Sequence, residues 1–551
     1  MTPSFNLLDQ PWIRVTRLDG ASDEVSLLTL FRQATQIEGV HGEIASQDVA
    51  ILRLLLAICH RTMNGPEELE DWREYWDSPG SLGQDASTYL ERFRSRFDLR
   101  DPEQPFFQVA GIHTASGKSS GLESLIADIP NGHPFFTTRM GEGLSQMTWA
   151  EAARWLIHVH AFDPSGIRSG AVGDPQVRNG KGYPIGPGWT GQIGTITLAG
   201  DNLEQTLLLN TVVCNCVEGL QEVDLSRDLP PWERPADGPG GSASKQPTGP
   251  VSCYTWQTRR VLLHGKEEVT SLFLGNGDKA TPQNRQHVEP LTAWRYSEPQ
   301  SQKAKATVYM PRKLPTDRAM WRGLPTVVPH LSPMVSTKAG GQVSRFLPPA
   351  VITFYQRLMY QRVIPPRKLL PIHAVGMEYG AQEAVITELV EDTLHVPSAL
   401  LGRDNTRLLT LVSDAIEVTE QAAGTLRNLA ANLDRAAGGS PDTSSAARQR
   451  AGAQFYQAID ERFPRWLADI ADADPESVAE QWREVLRSEA HRQAEHLAQN
   501  APSTAFTGRG DGTSRMDVGR ALFFFRRKLA EVLPRPGSQI PAAHDDERAD
   551  Q

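Results

Sequence analysis

"LLTLVSDAIEVTEQAAGTLRNLAANL" (residues 408–433) decides the architecture of the last quarter of the chain. Leu408, Val412, Ala415, Thr419, Ala422, Leu426, Leu429 and Leu433 alternate steps of four and three, which is the spacing of a heptad seam on one long helix. "GGSPDTSS" interrupts it. A second helical stretch carries Phe455, Ile459, Trp466 and Ile470, with Pro464 restarting the helix. A third begins at "DPES", where Asp474 caps and Pro475 takes the first helical position. A fourth carries Val518, Leu522, Phe525, Leu529 and Val532. Four amphipathic stretches with short connectors predict a four-helix bundle over 401–536. Residues 537–551, "AAHDDERADQ" among them, read as a disordered tail.

Upstream, the pattern is mixed. "FNLLDQPWIRVTRLDG" alternates around Trp12, Ile13 and Val15 and ends in Asp-Gly, a strand and a turn. Residues 44–64 place Ala45, Val49, Leu52, Leu56 and Cys59 on one helical face. "LSQMTWAEAARWLIHVH" predicts a helix with Thr148 as N-cap and Glu151 closing a capping box. "GQIGTITLAG", "LEQTLLLNTVV" and "CYTWQTRRVLLHG" have strand character, and residues 229–250 form a long loop without a packing pattern. The expected class is therefore α+β: a large mixed α/β domain over 1–400, then the bundle.

A chain of 551 residues is too long for one ordinary core. It has no apolar run of membrane-spanning length, since "AILRLLLAI" is short and carries Arg53. No secretory signal pattern opens the chain, and four cysteines are too few for a disulfide scaffold, so a reducing cytoplasm is the expected location. Net charge is −10, which opposes coating of nucleic acid along the whole chain and leaves a local site open.

"FDPSGIRSGAVGDPQVRNGKGYPIGPGW" (162–189) holds seven glycines and four prolines. A phosphate-binding loop of the Walker type is excluded, because Pro175 stands where its first glycine belongs and no Ser or Thr follows Gly180-Lys181. "GPGWTG" (186–191) matches a dinucleotide fingerprint, but a strand pattern follows where a helix is required. Two readings stay open for the stretch: an ordinary surface loop, or bare backbone lying against a nucleic-acid groove. Cys214-Asn-Cys216, read as a strand, shares a face, and Cys253 could join the pair, but three cysteines fall short of a structural zinc set. Neither a metal nor a cofactor is expected. His158, His160 and Asp163 supply an alternative, a freestanding hydrolase, although residues two apart on a helix do not share a face.

The opening "FNLLDQPWIRV" closely resembles the N-terminus of the large subunit of type I-E CRISPR Cascade, the CasA family. "HPFFTTRMG" (134–142), the 162–189 stretch, "LLLNTVV", "YTWQTRRVLL", "AVGMEYGAQEAVI" (374–386) and the C-terminal bundle follow the family in order. The resemblance implies a non-catalytic subunit that senses the protospacer-adjacent motif in double-stranded DNA from the minor groove. It also implies that the subunit opens the duplex to start R-loop formation and recruits a helicase–nuclease. The implied partners are the other Cascade subunits, the CRISPR RNA, the target duplex and that nuclease. The family's glycine loop maps to "PSGIRSGAVG", which gives Gly166, Ser169, Gly170 and Gly173 as motif contacts. Its duplex wedge maps to Gly380, Ala381 and Gln382. Lys279 and Arg285 are the candidates for a basic finger, and Phe135 and Phe136 for a loop anchored to the RNA-bearing backbone. Arg526, Arg527 and Lys528 are the candidates for displaced-strand contacts.

Overall fold

The computed structural model describes residues 4–535 apart from 67, 130–136, 138, 221–222, 243, 339, 403–404, 472 and 513–514. The chain divides into two compact units, residues 1–403 and 404–551.

The first unit is mixed. Its opening residues bend back so that Trp12 Nε1 donates to Leu7 O, and Ile13–Arg17 then pairs antiparallel with Ser22–Val25 and Ile37–Val40. On the apolar face of the Ala45–Thr62 helix Ala45, Val49, Leu56 and Cys59 are buried and Leu52 is half-buried, and the same helix buries a charge as well. Arg53 donates Nη1 and Nη2 to Glu289 Oε1 and Oε2 at 3.0 and 2.7 Å, with the two side chains 1% and 0% exposed. Trp189 Nε1 donates to the same carboxylate at 2.7 Å. The far end of the Gly/Pro stretch is thereby fastened to the core through one bidentate ion pair.

Two antiparallel hairpins frame the region of interest. Leu370–Tyr379 and Ile386–Val396 form a long ladder, with Gly194–Leu198 added on the outer side of the first strand. Arg259–Gly265 pairs with Val269–Asn276. A third small sheet places Trp294–Tyr296 between Tyr309–Pro311 and Phe346–Leu347.

Four expectations are corrected. "LEQTLLLN" is a helix, Leu203–Asn210, because the Asn202 side chain accepts from Gln205 N and starts it. Asn210 then ties that helix to the neighbouring strand, donating to Leu198 O and accepting from Leu198 N. "CNC" is a single 3₁₀ turn, with Cys214 buried and Cys216 half-buried, so a shared strand face is lost. The Thr148 cap forms, but the Glu151 carboxylate accepts from Arg139 Nη1 instead of closing the box. The 229–250 loop is anchored: Trp232 is buried and its Nε1 donates to Tyr89 Oη at 2.6 Å.

In the second unit, Thr406–Ala437 carries the heptad seam, and all eight seam residues are buried. It packs against Pro441–Ile459, Pro475–Gln499 and Val518–Val532. Gly438 ends the long helix at φ 96°, a left-handed value that glycine adopts without penalty. Ser440, Asp474 and Asp517 each cap the helix that follows. The second stretch splits in two at Asp460–Glu461, and the shorter piece, Arg462–Asp469, has Pro464 in its first turn. Trp482 Nε1 donates to Thr419 Oγ1 across the buried seam.

Candidate nucleic-acid interface

The Gly/Pro stretch leaves the Trp149–Phe162 helix at Asp163, which is buried. A buried carboxylate needs partners, and it has two. Arg168 Nη2 donates to Asp163 Oδ2 at 2.7 Å, and Arg259 Nε donates to the same oxygen. Arg259 also spreads Nη2 over three main-chain acceptors: Asp163 O at 3.2 Å, Pro164 O at 2.9 Å and Gly186 O at 3.0 Å. One fully buried guanidinium from a β-strand therefore closes both ends of the loop.

Within that closure the chain is well paired. Arg168–Ser169 and Lys181–Gly182 form a two-residue hairpin, and Gly170 N donates to Gly180 O at 3.0 Å. Asn276 Nδ2 donates to Tyr183 O at 2.6 Å. The glycines serve different purposes. A Cβ on Gly170 would lie 2.5 Å from Val177 Cγ1 and 2.8 Å from Gly180 O, so its bareness accommodates the loop itself. A Cβ on Gly188 would collide with Ala161 O, and one on Gly191 with Tyr379 Oη. Gly173 has φ 86°, a backbone requirement. Gly166 differs from these, because the nearest atom to its Cβ would be Arg168 Cζ at 3.7 Å. The strand Gly194–Leu198 follows "GPGWTG", in keeping with rejection of a dinucleotide site.

The second segment is the tip of the long hairpin. Gly380 N donates to Val385 O at 2.8 Å and Glu383 N to Gly380 O at 2.9 Å, which closes a tight turn. Ala381 and Gln382 are exposed at its apex. Gln382 and Glu383 both stand in the left-handed region, at φ 57° and 56°. Two consecutive side-chain-bearing residues there cost about 1–2 kcal/mol each.

The two segments meet. Ser165 N donates to Glu383 O at 2.8 Å, and Tyr379 Oη donates to Phe162 O at 2.6 Å. Lys313 approaches the same turn, with Nζ 3.5 Å from Glu383 Oε1 and 5.4 Å from the centre of the Tyr379 ring. Gly166, Ser169, Gly170 and Gly173 therefore belong to a loop bonded directly to the turn that carries Gly380, Ala381 and Gln382. Sequence reasoning missed Arg259, Ser165 and Lys313. Arg259 had a signal: two adjacent arginines in an otherwise apolar strand must find acceptors.

The remaining candidates separate. Lys279 is exposed, whereas Arg285 donates to Thr281 O, Thr281 Oγ1 and Gln246 Oε1 and is spent on its own loop. Phe135 and Phe136 lie outside the described residues. In the second unit Arg526, Arg527 and Lys528 are all exposed, but Lys528 Nζ pairs with Glu531 at 2.8 Å and Arg527 Nε approaches it at 4.0 Å. His158, His160 and Asp163 do not form a site. His158 Nε2 bonds Ser46 Oγ at 2.9 Å, His160 Nε2 bonds Phe107 O at 2.9 Å, and Asp163 is committed to its arginines. Burial pushes the two imidazoles down to about 3 and about 4, so both are neutral near pH 7 and unsuited to proton transfer there. Among the described residues no three His, Cys, Asp or Glu side chains are placed to hold a metal, and no helix is long and apolar enough to cross a membrane.

Comparison with known proteins matches residues 6–493 to the family model described as CRISPR-associated protein Cse1. The CRISPR-associated protein CasA/Cse1 of Thermus thermophilus is 28% identical over 505 residues, covering 88% of this chain and 91% of its own. The crystal structure of Thermobifida fusca Cse1 aligns with a TM-score of 0.87 at 37% identity, covering 97% of this chain and 98% of that one. Cse1 from Acidimicrobium ferrooxidans aligns at 0.78 and 26% identity, over 96% and 98% of the two chains.

Proposed function

The chain belongs to the family of CRISPR-associated protein Cse1, and from that membership we propose that it is the DNA-sensing subunit of an RNA-guided surveillance complex. The proposal has the protein recognise a protospacer-adjacent motif in double-stranded DNA from the minor groove. It then parts the first base pairs for R-loop formation and helps recruit a helicase–nuclease. Its partners are the other Cascade subunits, the CRISPR RNA they carry, the target duplex and that nuclease. Sequence beyond the motif is read by base pairing to the guide, so the protein has only a short recognition task. The chain itself catalyses no reaction in this scheme.

The observation that carries the reading is the hydrogen bond from Ser165 N to Glu383 O. It ties a loop of small residues suited to close groove approach to a strained, exposed turn that presents an amide. The loop offers main chain at Gly166 beside the exposed Ile167 side chain, and minor-groove readout separates A·T from G·C pairs with some tolerance. The turn holds Gln382 outward in a conformation that only surrounding structure can enforce. An inserted side chain offsets part of the unstacking cost, a few kcal/mol per step, and its amide can bond an exposed base edge.

The test uses the reconstituted complex with fluorescent duplex and bubble targets. Gln382→Ala should abolish motif-dependent strand separation on duplex while leaving binding to a pre-opened bubble near normal. Equal losses on both substrates would remove the wedge role. A complex lacking this chain that opened motif-bearing duplex as well as the full assembly would end the proposal altogether. Gly166→Asp probes the loop, since the nearest atom to its Cβ would be Arg168 Cζ at 3.7 Å; the carboxylate set beside that guanidinium should weaken binding of motif-bearing duplex more than of single-stranded target.

A further inference from the structure

The small sheet of the first unit carries a cluster that the functional reading does not use. Arg295 stands in register between Met310 on one side and Phe346 on the other, so the three side chains share a face. Arg312, two residues beyond Met310, returns to that face and stands over the Phe346 ring at 5.4 Å. Arg345 stands over the same ring, also at 5.4 Å. Among the described residues no carboxylate lies within 4.0 Å of any of these three guanidinium groups. Arg312 Nη1 donates to a neutral acceptor, Thr326 Oγ1, at 2.7 Å. Burial, with the like charges of Arg318 and Arg345, pushes Arg312 down to about 10.

Arg295 and Arg345 are exposed and solvated, whereas Arg312 is half-buried, where a charge without an opposite one is costly. The chain has 66 acidic residues against 56 basic ones, and the buried arginines Arg53 and Arg259 each have a carboxylate. Arg312 and Arg345 over one ring, with Arg295 opposite Phe346 in the sheet and none of the three paired to a carboxylate among the described residues, form a site suited to negative charge. Planar donor forks suit phosphate oxygens, and an aromatic ring stacked by arginine keeps the forks oriented.

We propose that Arg312 and Arg345, stacked on Phe346, together with Arg295 opposite that residue in the sheet, bind the phosphodiester backbone of the target DNA. This rests on the DNA-sensing reading for the identity of the strand, and on geometry alone for the anion. The duplex is favoured because Lys313, the residue after Arg312, reaches the Glu383 turn beside Gln382, so the segment that carries Arg312 passes close to that turn. Backbone contacts position a duplex without reading its sequence, so the site should act equally on any motif.

The test measures affinity of the full-length chain for a fluorescein-labelled duplex by anisotropy across about 50–200 mM salt. Each lost phosphate contact should lower the slope of log affinity against log salt by about 0.9. Arg295→Gln/Arg345→Gln, at two exposed positions, should therefore flatten the slope by about 1.8, on duplex with or without the motif. Arg312→Lys keeps the charge and should keep the slope, and an unchanged melting temperature shows that each variant is folded. An unaltered slope in the double variant overturns the proposal, as does a change confined to single-stranded guide RNA. Motif dependence of the wild-type assembly is read separately. If it is absent while the slope still responds, the DNA-sensing reading fails and the phosphate site stands.

Discussion

The 162–189 stretch and the 380–384 turn lie against each other, yet they are built on opposite terms. In the stretch, missing side chains are mostly consumed by the protein: Gly170, Gly188 and nearby Gly191 are bare because main chain or Tyr379 occupies the space. In the turn, side chains are present where glycine would be easier, and Gln382 and Glu383 carry left-handed backbone. The first region is a clamped platform and the second a strained projection. A glycine-rich segment is therefore not in itself evidence of ligand approach. What distinguishes the two is whether protein atoms already fill the vacated volume.

That contrast can be broken at its foundation. Arg259→Ala removes the guanidinium that closes both ends of the stretch and leaves Asp163 with Arg168 alone, so it should cost about 3–5 kcal/mol in urea unfolding. A loss under about 1 kcal/mol, the worth of a surface pair, would mean the platform is not clamped.

Acid should weaken the same foundation. The folded pKa values of His158 and His160 lie below the ordinary value of 6.5, so the unfolded chain binds protons first as pH falls. Their contribution is fully present above pH 6.5 and is lost as pH drops towards about 4 and about 3, at about 1.4 kcal/mol per unit of depression. His160→Gln should flatten the dependence of unfolding free energy on pH across that window. An unchanged slope would mean His160 titrates normally.

Within the platform, the glycines should divide. Gly188→Ala overpacks against Ala161 and should cost about 1–3 kcal/mol, whereas Gly166→Ala should stay within about 0.5 kcal/mol of wild type. Similar costs at both positions would erase the distinction between consumed and open glycines. The smallest effect belongs to the turn. Gln382→Gly relieves left-handed strain and should raise stability by about 0.5–1 kcal/mol while still removing the amide proposed as the wedge. A destabilised variant would show that the Gln382 side chain supports the fold.

Local signals carry far in some regions and fail in others for identifiable reasons. The heptad seam is legible because every helix of that unit buries one stripe, and the Asp474 and Pro475 signals mark a boundary without help from elsewhere. "LEQTLLLN" reads as a strand and folds as a helix, since a short apolar run does not reveal its period and the Asn202 cap decides it. The Gly/Pro stretch and the Gly380–Gln382 turn are both visible in the sequence, the latter through family resemblance. Their contact is not, because Ser165 and Glu383 are more than two hundred residues apart. Arg285 looks like a free cation in sequence and is bonded to its own loop.

Periodicity, capping residues and turn chemistry are properties of neighbours along the chain, so the sequence by itself determined the helical C-terminal unit, the mixed character of the rest and where regular structure must stop. Which charges meet is a property of neighbours in space. Only the tertiary structure decided that Arg259 closes the 162–189 loop, that this loop bonds the strained turn beside Gln382, and that Arg312 and Arg345 gather on Phe346. Each of those arrangements depends on desolvation and on distances between residues far apart in sequence, and no local pattern encodes either.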